Sequence, residues 1–444
     1  MKPATAILRI FALLLLTTYS TSAQWTTANL SGARTLMGAA AANGVAIFAG
    51  GIGMISQPPG VYDLYNSTSG LWSSGGFSPP RCKLAGVSCG SYLLFAGGAN
   101  DWILSEYDNV NIYNTLSNSW STSNALSAPR AYLSGASAGS KVVFAGGESG
   151  GLGLYSDAAD IFDTLSQTWT DTQISSARSR MAAAGAGTKI LFAGGENAGT
   201  VFRTVDVYDV VSNTWTVDSL SVGRRGMCGV SNGNKIYFAG GVTQGNQVTN
   251  RIDIYDVNTG TWTIDSLSQA RHLISAAAVG DLVIFAGGSN FAGNTAYNTV
   301  DILNTVTGTW TTSTLATARY DASAVSTGGK FIMAGGAGAS GMPLSSAEIY
   351  TVTSTGQMEV NLQNQLQVFP NPASGFVTIR NSNDSQRILE VELFDQTGRL
   401  VYTQDISSGS EEIILDLESI PAGIYMLSVY TDDGKIMSSR LTVQ

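Results

Sequence analysis

The chain has 444 residues, only 12% of them charged, with 51 glycines and a formal net charge of −9. This length allows two or more domains, and the composition favours β-sheets joined by tight turns over long solvated helices. The negative charge disfavours nucleic-acid binding, which needs a basic surface, and three cysteines (Cys82, Cys89 and Cys228) do not make a disulfide framework.

The first 23 residues have the features of a secretory signal peptide. Lys2 and Arg9 are followed by an apolar run at Ile10–Leu16 and then by Thr21–Ala23, small residues typical of a cleavage site. The apolar run is too short to cross a bilayer. We therefore expect residues 1–23 to be removed, and a mature chain without a transmembrane segment that is secreted or displayed on the outer cell surface.

A unit of 46 to 49 residues is repeated from Trp25 to Tyr350. Each copy has an arginine 14 residues before the first residue of a short segment that ends in two glycines, and a tryptophan nine or ten residues before that arginine. The segments are Phe48–Gly51, Phe95–Gly98, Phe144–Gly147, Phe192–Gly195, Phe238–Gly241, Phe285–Gly288 and Met333–Gly336. The arginines are Arg34, Arg81, Arg130, Arg178, Arg224, Arg271 and Arg319. Self-similarity at this period, with four short β runs per copy, predicts a propeller of four-stranded sheets.

The two ends of the repeat region complement each other. The first copy begins with a tryptophan segment alone, and the last copy stops after Tyr350 without a tryptophan. We therefore expect the Trp25 strand to pair with the strand that ends at Tyr350 and to close a ring of seven sheets, leaving no open edge there. An alternative is that Gln357–Val360 supplies the closing strand.

These markers resemble the kelch repeat, in which a double glycine follows an apolar strand and an aromatic residue and a tryptophan are separated by six residues. The resemblance covers Trp25 to Tyr350. It implies an all-β fold with a seven-bladed kelch-type β-propeller over residues 24–350. Leu303 and Met333 depart from the pattern, since the other copies have an aromatic residue and a phenylalanine there.

The C-terminal part of the chain has a different pattern. Residues 351–366 are polar and predict a linker, and residues 367–444 contain seven short β runs, which indicate a small antiparallel, Ig-like β-sandwich. Four segments of this part are distinctive: Val368–Ser374, Leu393–Val401, Leu417–Val429 and Lys435–Val443. They resemble the type A C-terminal sorting domain of the type IX secretion system of Bacteroidota. The resemblance implies that this machinery is a partner of the tail, exports the chain across the outer membrane and removes the tail. An Ig-like accessory module is the alternative.

Ligand contacts are expected on one face of the propeller. In each copy strand a follows the arginine, strand b ends in the double glycine, strand c carries the aromatic residue and strand d the tryptophan. The d–a turns and the b–c loops therefore share one face, which we call the arginine face. The b–c loops vary in sequence, and variation on a repeated scaffold is where specificity is carried. The candidate ligand contacts are Lys83, Trp102, Tyr132, Arg180, Arg203, Arg225, His272, Tyr320 and Asp321, with Glu106 and Tyr107 near Trp102.

The repeated arginines allow two interpretations. A ring of exposed cations at the channel mouth would suit an acidic sugar or another carboxylate. However, strand c carries an acid or amide two residues before its aromatic position, and a buried arginine normally pairs with such a group. These residues are Asp63, Asn111, Asp160, Asp206, Asp253, Asp301 and Glu348. Because a residue present in every copy serves the copy itself, we favour structural pairing.

Catalytic motifs are scarce. His272 is the only histidine, so the copper site of galactose oxidase-type propellers cannot be formed, and neither zinc-ligand spacing nor a G-x-S-x-G motif occurs. The sequence predicts no metal and no cofactor. A sugar mutarotase or epimerase would need only a carboxylate and basic residues, for which Glu148 and Glu196 are candidates. The leading hypothesis is a non-catalytic module that binds a glycan or a protein. The mutarotase or epimerase is the second hypothesis, and a purely structural surface protein is the third.

Overall fold

The computed structural model describes residues 25–54, 57–101, 105–150, 153–291, 295–352, 366–381, 387–395, 399–432 and 436–444. The expected signal peptide, the alternative closing segment Gln357–Val360 and Trp102 lie outside the described residues. The described structure is all-β, and none of it forms a helix with the length and hydropathy needed to cross a membrane. Residues 25–352 belong to one compact unit and residues 366–444 to a second.

Seven four-stranded antiparallel sheets are formed within the described residues 25–352, and in each sheet the strands are hydrogen-bonded in the order a, b, c, d. Sheet 1 contains Gly38–Ala42, Val45–Ala49, Val61–Asn66 and Trp72–Gly76; sheet 2 contains Ala85–Cys89, Tyr92–Ala96, Asn109–Asn114 and Ser119–Asn124. Sheet 3 contains Ser134–Ala138, Lys141–Ala145, Ala158–Asp163 and Thr168–Gln173; sheet 4 contains Ala182–Ala186, Lys189–Ala193, Thr204–Asp209 and Thr214–Ser219. Sheet 5 contains Cys228–Asn232, Lys235–Ala239, Arg251–Asp256 and Thr261–Ser266; sheet 6 contains Ser275–Val279, Leu282–Ala286, Thr299–Asn304 and Thr309–Thr314. Sheet 7 contains Ser323–Thr327, Lys330–Ala334, Ser346–Thr351 and Trp25–Asn29.

Short two-stranded ladders extend some copies toward the arginine face. They are Ala99–Asn100 with Ser105–Glu106, Glu148–Ser149 with Leu154–Tyr155, Glu196–Asn197 with Thr200–Val201, and Arg224–Arg225 with Val242–Thr243.

The repeated sequence markers follow from how each sheet is packed. Strand b is covered on both faces, and Val45–Ala49 of sheet 1 is buried along its whole length. The tight turn between strands c and d places the aromatic residue opposite the tryptophan, so that Tyr255 is the cross-strand partner of Trp262 with ring centroids 5.0 Å apart. Aromatic cross-strand pairs stabilise a sheet beyond their area of burial.

The sheets form a closed ring. The strands a of successive sheets are in contact, and strand a of sheet 7 contacts strand a of sheet 1. Each junction between neighbouring sheets has its own apolar core. In sheet 7 the outermost strand is Trp25–Asn29, with Trp25 opposite Tyr350. The indole Nε1 of Trp25 also donates a 3.0 Å hydrogen bond to Ser313 Oγ of sheet 6.

The double glycines join each sheet to the next. In all seven copies the second glycine N–H donates a hydrogen bond of 2.8 to 3.0 Å to the carbonyl of the arginine that precedes the following sheet, with Gly336 bonding to Arg34 at the end of the ring. The position of the first glycine has no room for a side chain. At Gly194, where φ is +65°, a Cβ atom would lie 2.2 Å from the carbonyl oxygen of Arg224. This approach explains why glycine recurs at this position.

The second unit has seven strands around one apolar core. The strands are Leu366–Ser374, Phe376–Asn381, Ile388–Phe394, Leu400–Ser410, Glu412–Asp416, Gly423–Thr431 and Ile436–Val443. Neighbouring strands are antiparallel except the first and the last, which run parallel where Ala373 faces Val443. This pair differs from the wholly antiparallel arrangement that we expected. The first strand is irregular between Phe369 and Ser374, which lets its end lie beside the last strand.

Candidate functional site

The seven repeated arginines are buried within the sheets and paired there. Arg319 Nη2 lies 2.8 Å from Glu348 Oε1. Five others form ion pairs with aspartates of strand c: Arg34 with Asp63, Arg130 with Asp160, Arg178 with Asp206, Arg224 with Asp253, and Arg271 with Asp301. Sheet 2 uses a neutral partner, because Arg81 Nη2 donates to Asn111 Oδ1 at 2.7 Å. These guanidinium groups therefore give a ligand no exposed ring of positive charge.

The residues two positions after the arginines form an inner ring on the arginine face. Its members are Leu36, Lys83, Tyr132, Arg180, Gly226, Leu273 and Asp321. Each has a φ between +50° and +62°. Six of them donate a main-chain N–H to the carbonyl of the preceding member, at 3.0 to 3.4 Å. Between Asp321 and Leu36 the contact is different, since Thr35 Oγ1 donates to the carbonyl of Asp321 at 3.1 Å.

The backbone of this inner ring is strained. A left-handed conformation costs roughly 1–2 kcal/mol for a residue with a side chain, and six of the seven members are not glycine. Strained backbone of this kind is held only where the surrounding structure fixes it, and it is concentrated at binding and active sites. Because this backbone recurs in every copy while its side chains differ, the side chains make the inner ring a candidate ligand-binding region.

A cavity of about 210 Å³ lies inside the inner ring, and we call it the axial cavity. Lys83, Tyr132, Arg180 and Asp321 contribute to its lining, together with Leu36. It is smaller than the roughly 300–1,000 Å³ of most pockets for drug-sized ligands. Its size suits a small molecule or the end group of a larger one.

The cations around the axial cavity are already compensated. Lys83 Nζ lies 2.7 Å from an oxygen of Asp101. Arg180 lies 3.8 Å from Glu148 and 3.5 Å from Glu196. Lys83 Nζ and Arg180 Cζ are 5.0 and 4.5 Å from the ring centroid of Tyr132, within the range of cation–π attraction.

The carboxylate of Asp321 differs from these groups. No hydrogen bond or ion pair reaches its side chain from the residues that the structure describes. Burial raises the pKa of Asp321 to about 6, and the positive charge of Arg180 opposes this shift only in part. The axial cavity thus contains a carboxyl group that titrates near neutral pH and has a free capacity to accept hydrogen bonds.

The predicted catalytic carboxylates hold other side chains in place. Glu148 is buried and accepts a 2.6 Å hydrogen bond from Ser179 Oγ. Glu196 lies between Arg180 and Arg225, with Arg225 Nε 3.2 Å from its Oε2 atom. Both glutamates are thus engaged by neighbouring groups of the arginine face.

His272 is buried and is not among the residues that line the axial cavity. Its ring centroid lies 5.8 Å from that of Phe291, and Arg225 Cζ lies 5.2 Å from the same phenyl ring. Burial, helped by the charge of Arg225, lowers the pKa of His272 to about 4, so the imidazole is neutral at pH 7. Neither ring nitrogen has a hydrogen-bond partner among the described residues, and the same is true of the hydroxyl of Ser289, its cross-strand neighbour.

The structure brings together some of the predicted ligand contacts and separates others. Lys83, Tyr132, Arg180 and Asp321 line the axial cavity, whereas Arg225 and His272 are not among its lining residues. Tyr320 does not line the cavity; burial, followed by the charge of Asp321, raises its pKa. Arg203 is exposed and donates instead to Ser219 Oγ at 3.0 Å.

Sequence reasoning missed two residues of this region, Asp101 and Phe291. Both lie in b–c loops, the segments whose variation predicts ligand contacts. The signal was therefore present, but variation of these loops does not distinguish one loop residue from another.

Family models match parts of both units of the chain. The family model of the Kelch motif matches residues 177–217, 223–264 and 270–313. Kelch motifs are therefore present in the region of the chain that forms the four-stranded sheets. The model described as a secretion system C-terminal sorting domain matches residues 367–444. The protein therefore carries a type IX sorting tail, and it is exported to the cell surface or secreted. Among curated proteins no match was found.

Proposed function

We propose that the protein is an exported binding module that captures the end group of a glycan in the axial cavity. The observation that carries this proposal is the convergence of Lys83, Tyr132, Arg180 and Asp321 on one small cavity at the centre of the ring. Four sheets contribute one residue each, so the site depends on ring closure. The tail of residues 367–444 provides the contact with the secretion machinery.

The charges of the site favour an uncharged, hydroxyl-rich ligand. The lysine and the arginines of the arginine face are compensated by Asp101, Glu148 and Glu196. An acidic sugar would meet the unpaired carboxylate of Asp321 and find no free cation among the described residues that line the cavity. Sugar hydroxyls both donate and accept hydrogen bonds, and the cavity offers both kinds of partner.

Glycan-array binding tests the proposal. The chain without its predicted signal peptide is compared with a Tyr132→Ala, Arg180→Ala double variant. Arg203→Ala is the matched control, because Arg203 is an exposed arginine outside the axial cavity. We expect the double variant to lose at least tenfold in affinity and the control to keep it. Equal binding by the double variant, or binding of proteins but of no glycan, contradicts the proposal.

A sugar mutarotase or epimerase is the second candidate function. The observation in its favour is Asp321, a partly buried carboxyl group whose pKa of about 6 suits general acid–base chemistry near neutral pH. Glu148 and Glu196 are weaker candidates for that role, since both are held in ion pairs with arginines. Following anomer exchange of unlabelled hexoses by NMR tests this activity. A rate equal to that of buffer alone excludes it for those sugars.

A further inference from the structure

We infer that Asp321 makes the axial cavity selective for an uncharged sugar with two adjacent hydroxyl groups, and that capture weakens as this carboxylate is protonated. The inference rests on the proposed glycan-binding function and adds to it the class of sugar, the accepting residue and a dependence on pH.

The position of Asp321 is fixed from both sides. Its N–H donates to the carbonyl of Leu273 at 3.3 Å, and its own carbonyl accepts from Thr35 Oγ1 at 3.1 Å. Its φ of +50° belongs to the strained inner ring. The side chain nevertheless lines the axial cavity without a bonding partner among the described residues. A partly buried carboxylate without a partner is costly, and this cost is relieved when a ligand supplies donors.

The chemistry of a carboxylate selects the ligand. Its two oxygens can accept two hydrogen bonds side by side, which matches two hydroxyl groups on adjacent carbons. A carboxylate on the ligand would be repelled by Asp321. An ammonium group would be attracted by Asp321, but it can only donate hydrogen bonds and would meet the donors of Arg180 and Lys83, which line the same cavity. Uncharged vicinal diols avoid both conflicts.

The groups that face Asp321 set the pH range. Arg180 attracts the carboxylate, while Tyr132 and Tyr320 are close enough for its charge to act on them; Lys83 lines the cavity with them. Burial dominates, and the pKa of Asp321 lies near 6. Above that pH both oxygens accept hydrogen bonds, and below it one oxygen becomes a donor. If only the ionised form binds, affinity falls about tenfold between pH 7.5 and pH 5.

The experiment measures the affinity of the chain without its predicted signal peptide for defined monosaccharides. The probes are glucose, galactose and mannose, each with its uronic acid, its 2-amino form and a deoxy form that lacks one hydroxyl of a vicinal pair. Calorimetry at pH 7.5 and pH 5 compares wild type with Asp321→Asn and with the Arg203→Ala control. We expect a neutral sugar to bind best, to lose about tenfold on acidification, and to bind Asp321→Asn at least tenfold more weakly with no dependence on pH.

The outcomes separate this inference from the proposed function. If no sugar and no array glycan binds wild type, the glycan-binding function itself is overturned, and the inference with it. If wild type binds and the Tyr132, Arg180 double variant does not, but Asp321→Asn binds normally or a uronic acid binds best, the function stands and the role of Asp321 is rejected. Thermal unfolding of Asp321→Asn excludes misfolding as the cause of a loss, because replacing an unpaired buried charge by an isosteric amide should not lower stability at pH 7.5.

Discussion

At the scale of single residues, seven buried arginines of the propeller each need a partner side chain. Six arginines are balanced by carboxylates, and Arg81 is balanced by the neutral amide of Asn111. Arg224 also donates to the main-chain carbonyl of Gly240 at 2.8 Å, which spreads its charge over neighbouring dipoles. Since removal of one partner leaves an uncompensated buried charge, these pairs fix the position of strand c against the d–a turn.

The neutral partner of Arg81 in sheet 2 leads to a prediction for the arginine pair of sheet 4. Asp206→Ala removes the partner of Arg178 and the acceptor for the N–H of Ser175, and we expect it to lower the free energy of unfolding by about 3–5 kcal/mol. Asp206→Asn keeps an acceptor of the kind that Arg81 already uses, so its cost should be clearly smaller. Urea unfolding monitored by tryptophan fluorescence measures both. Equal losses from the two variants would mean that charge, and not the hydrogen bond, holds the arginine.

At the scale of single elements, the Gly-Gly segment is the joint between one sheet and the next. The second glycine of each copy bonds to the carbonyl of the next arginine, while the first leaves room for that same carbonyl. The element thus combines a hydrogen bond and a close backbone approach in two residues. Any side chain at the first position would push the neighbouring sheet outward.

Two alanine substitutions distinguish this approach from backbone strain. Gly194→Ala places a Cβ 2.2 Å from the carbonyl oxygen of Arg224, whereas Gly199→Ala has a similarly positive φ of +85° with open space around it. We expect Gly199→Ala to cost about 1 kcal/mol from conformation alone. Gly194→Ala should cost about 1–3 kcal/mol more, the usual penalty of overpacking. Thermal unfolding of the two variants provides the comparison, and equal melting temperatures would reject the steric explanation.

Most of the element structure could be predicted from the sequence because it depends on short-range geometry. A residue facing a tryptophan across a tight turn, as Tyr255 faces Trp262, is fixed by local spacing. For the axial cavity, the sequence predicted only that ligand contacts lie on the arginine face. Which of the inner-ring side chains meet depends on contacts between different copies, such as that of Arg180 with Tyr132. The unpaired state of Asp321 also depends on burial by several sheets, which no local pattern encodes.

At the scale of the whole molecule, the first strand of the propeller completes the last sheet. Trp25–Asn29 pairs along its length with Ser346–Thr351, and the ring of Trp25 lies 5.1 Å from that of Tyr350. The chain then passes from sheet 7 into sheet 1, so every junction of the ring is crossed by the polypeptide. The ring is closed without disulfide bonds, since Cys82, Cys89 and Cys228 are free and buried.

Removal of the closing strand tests how much stability it provides. A chain that begins at Ser31 lacks the Trp25 strand and exposes the edge of Ser346–Thr351. We expect a loss of more than about 3 kcal/mol, because the deletion removes both the partly buried indole of Trp25 and a complete hydrogen-bonded ladder, and soluble aggregates formed through the open edge. Calorimetry and light scattering measure these effects. A chain that begins at Trp25 serves as the control, and identical behaviour of the two chains would contradict a role in closure.

The pairing of Ser346–Thr351 on both sides has a mechanical consequence. This strand is the last of the propeller and leads toward the sorting tail, so any pulling force applied to the tail during export reaches the propeller through it. A force that acts along the strand direction would load in shear the hydrogen-bond ladders to Lys330–Ala334 on one side and to Trp25–Asn29 on the other. A strand at a free edge leaves its sheet when one ladder breaks, whereas Ser346–Thr351 can leave only when both ladders break, so drawing out the C-terminal end of the propeller disrupts more hydrogen bonds.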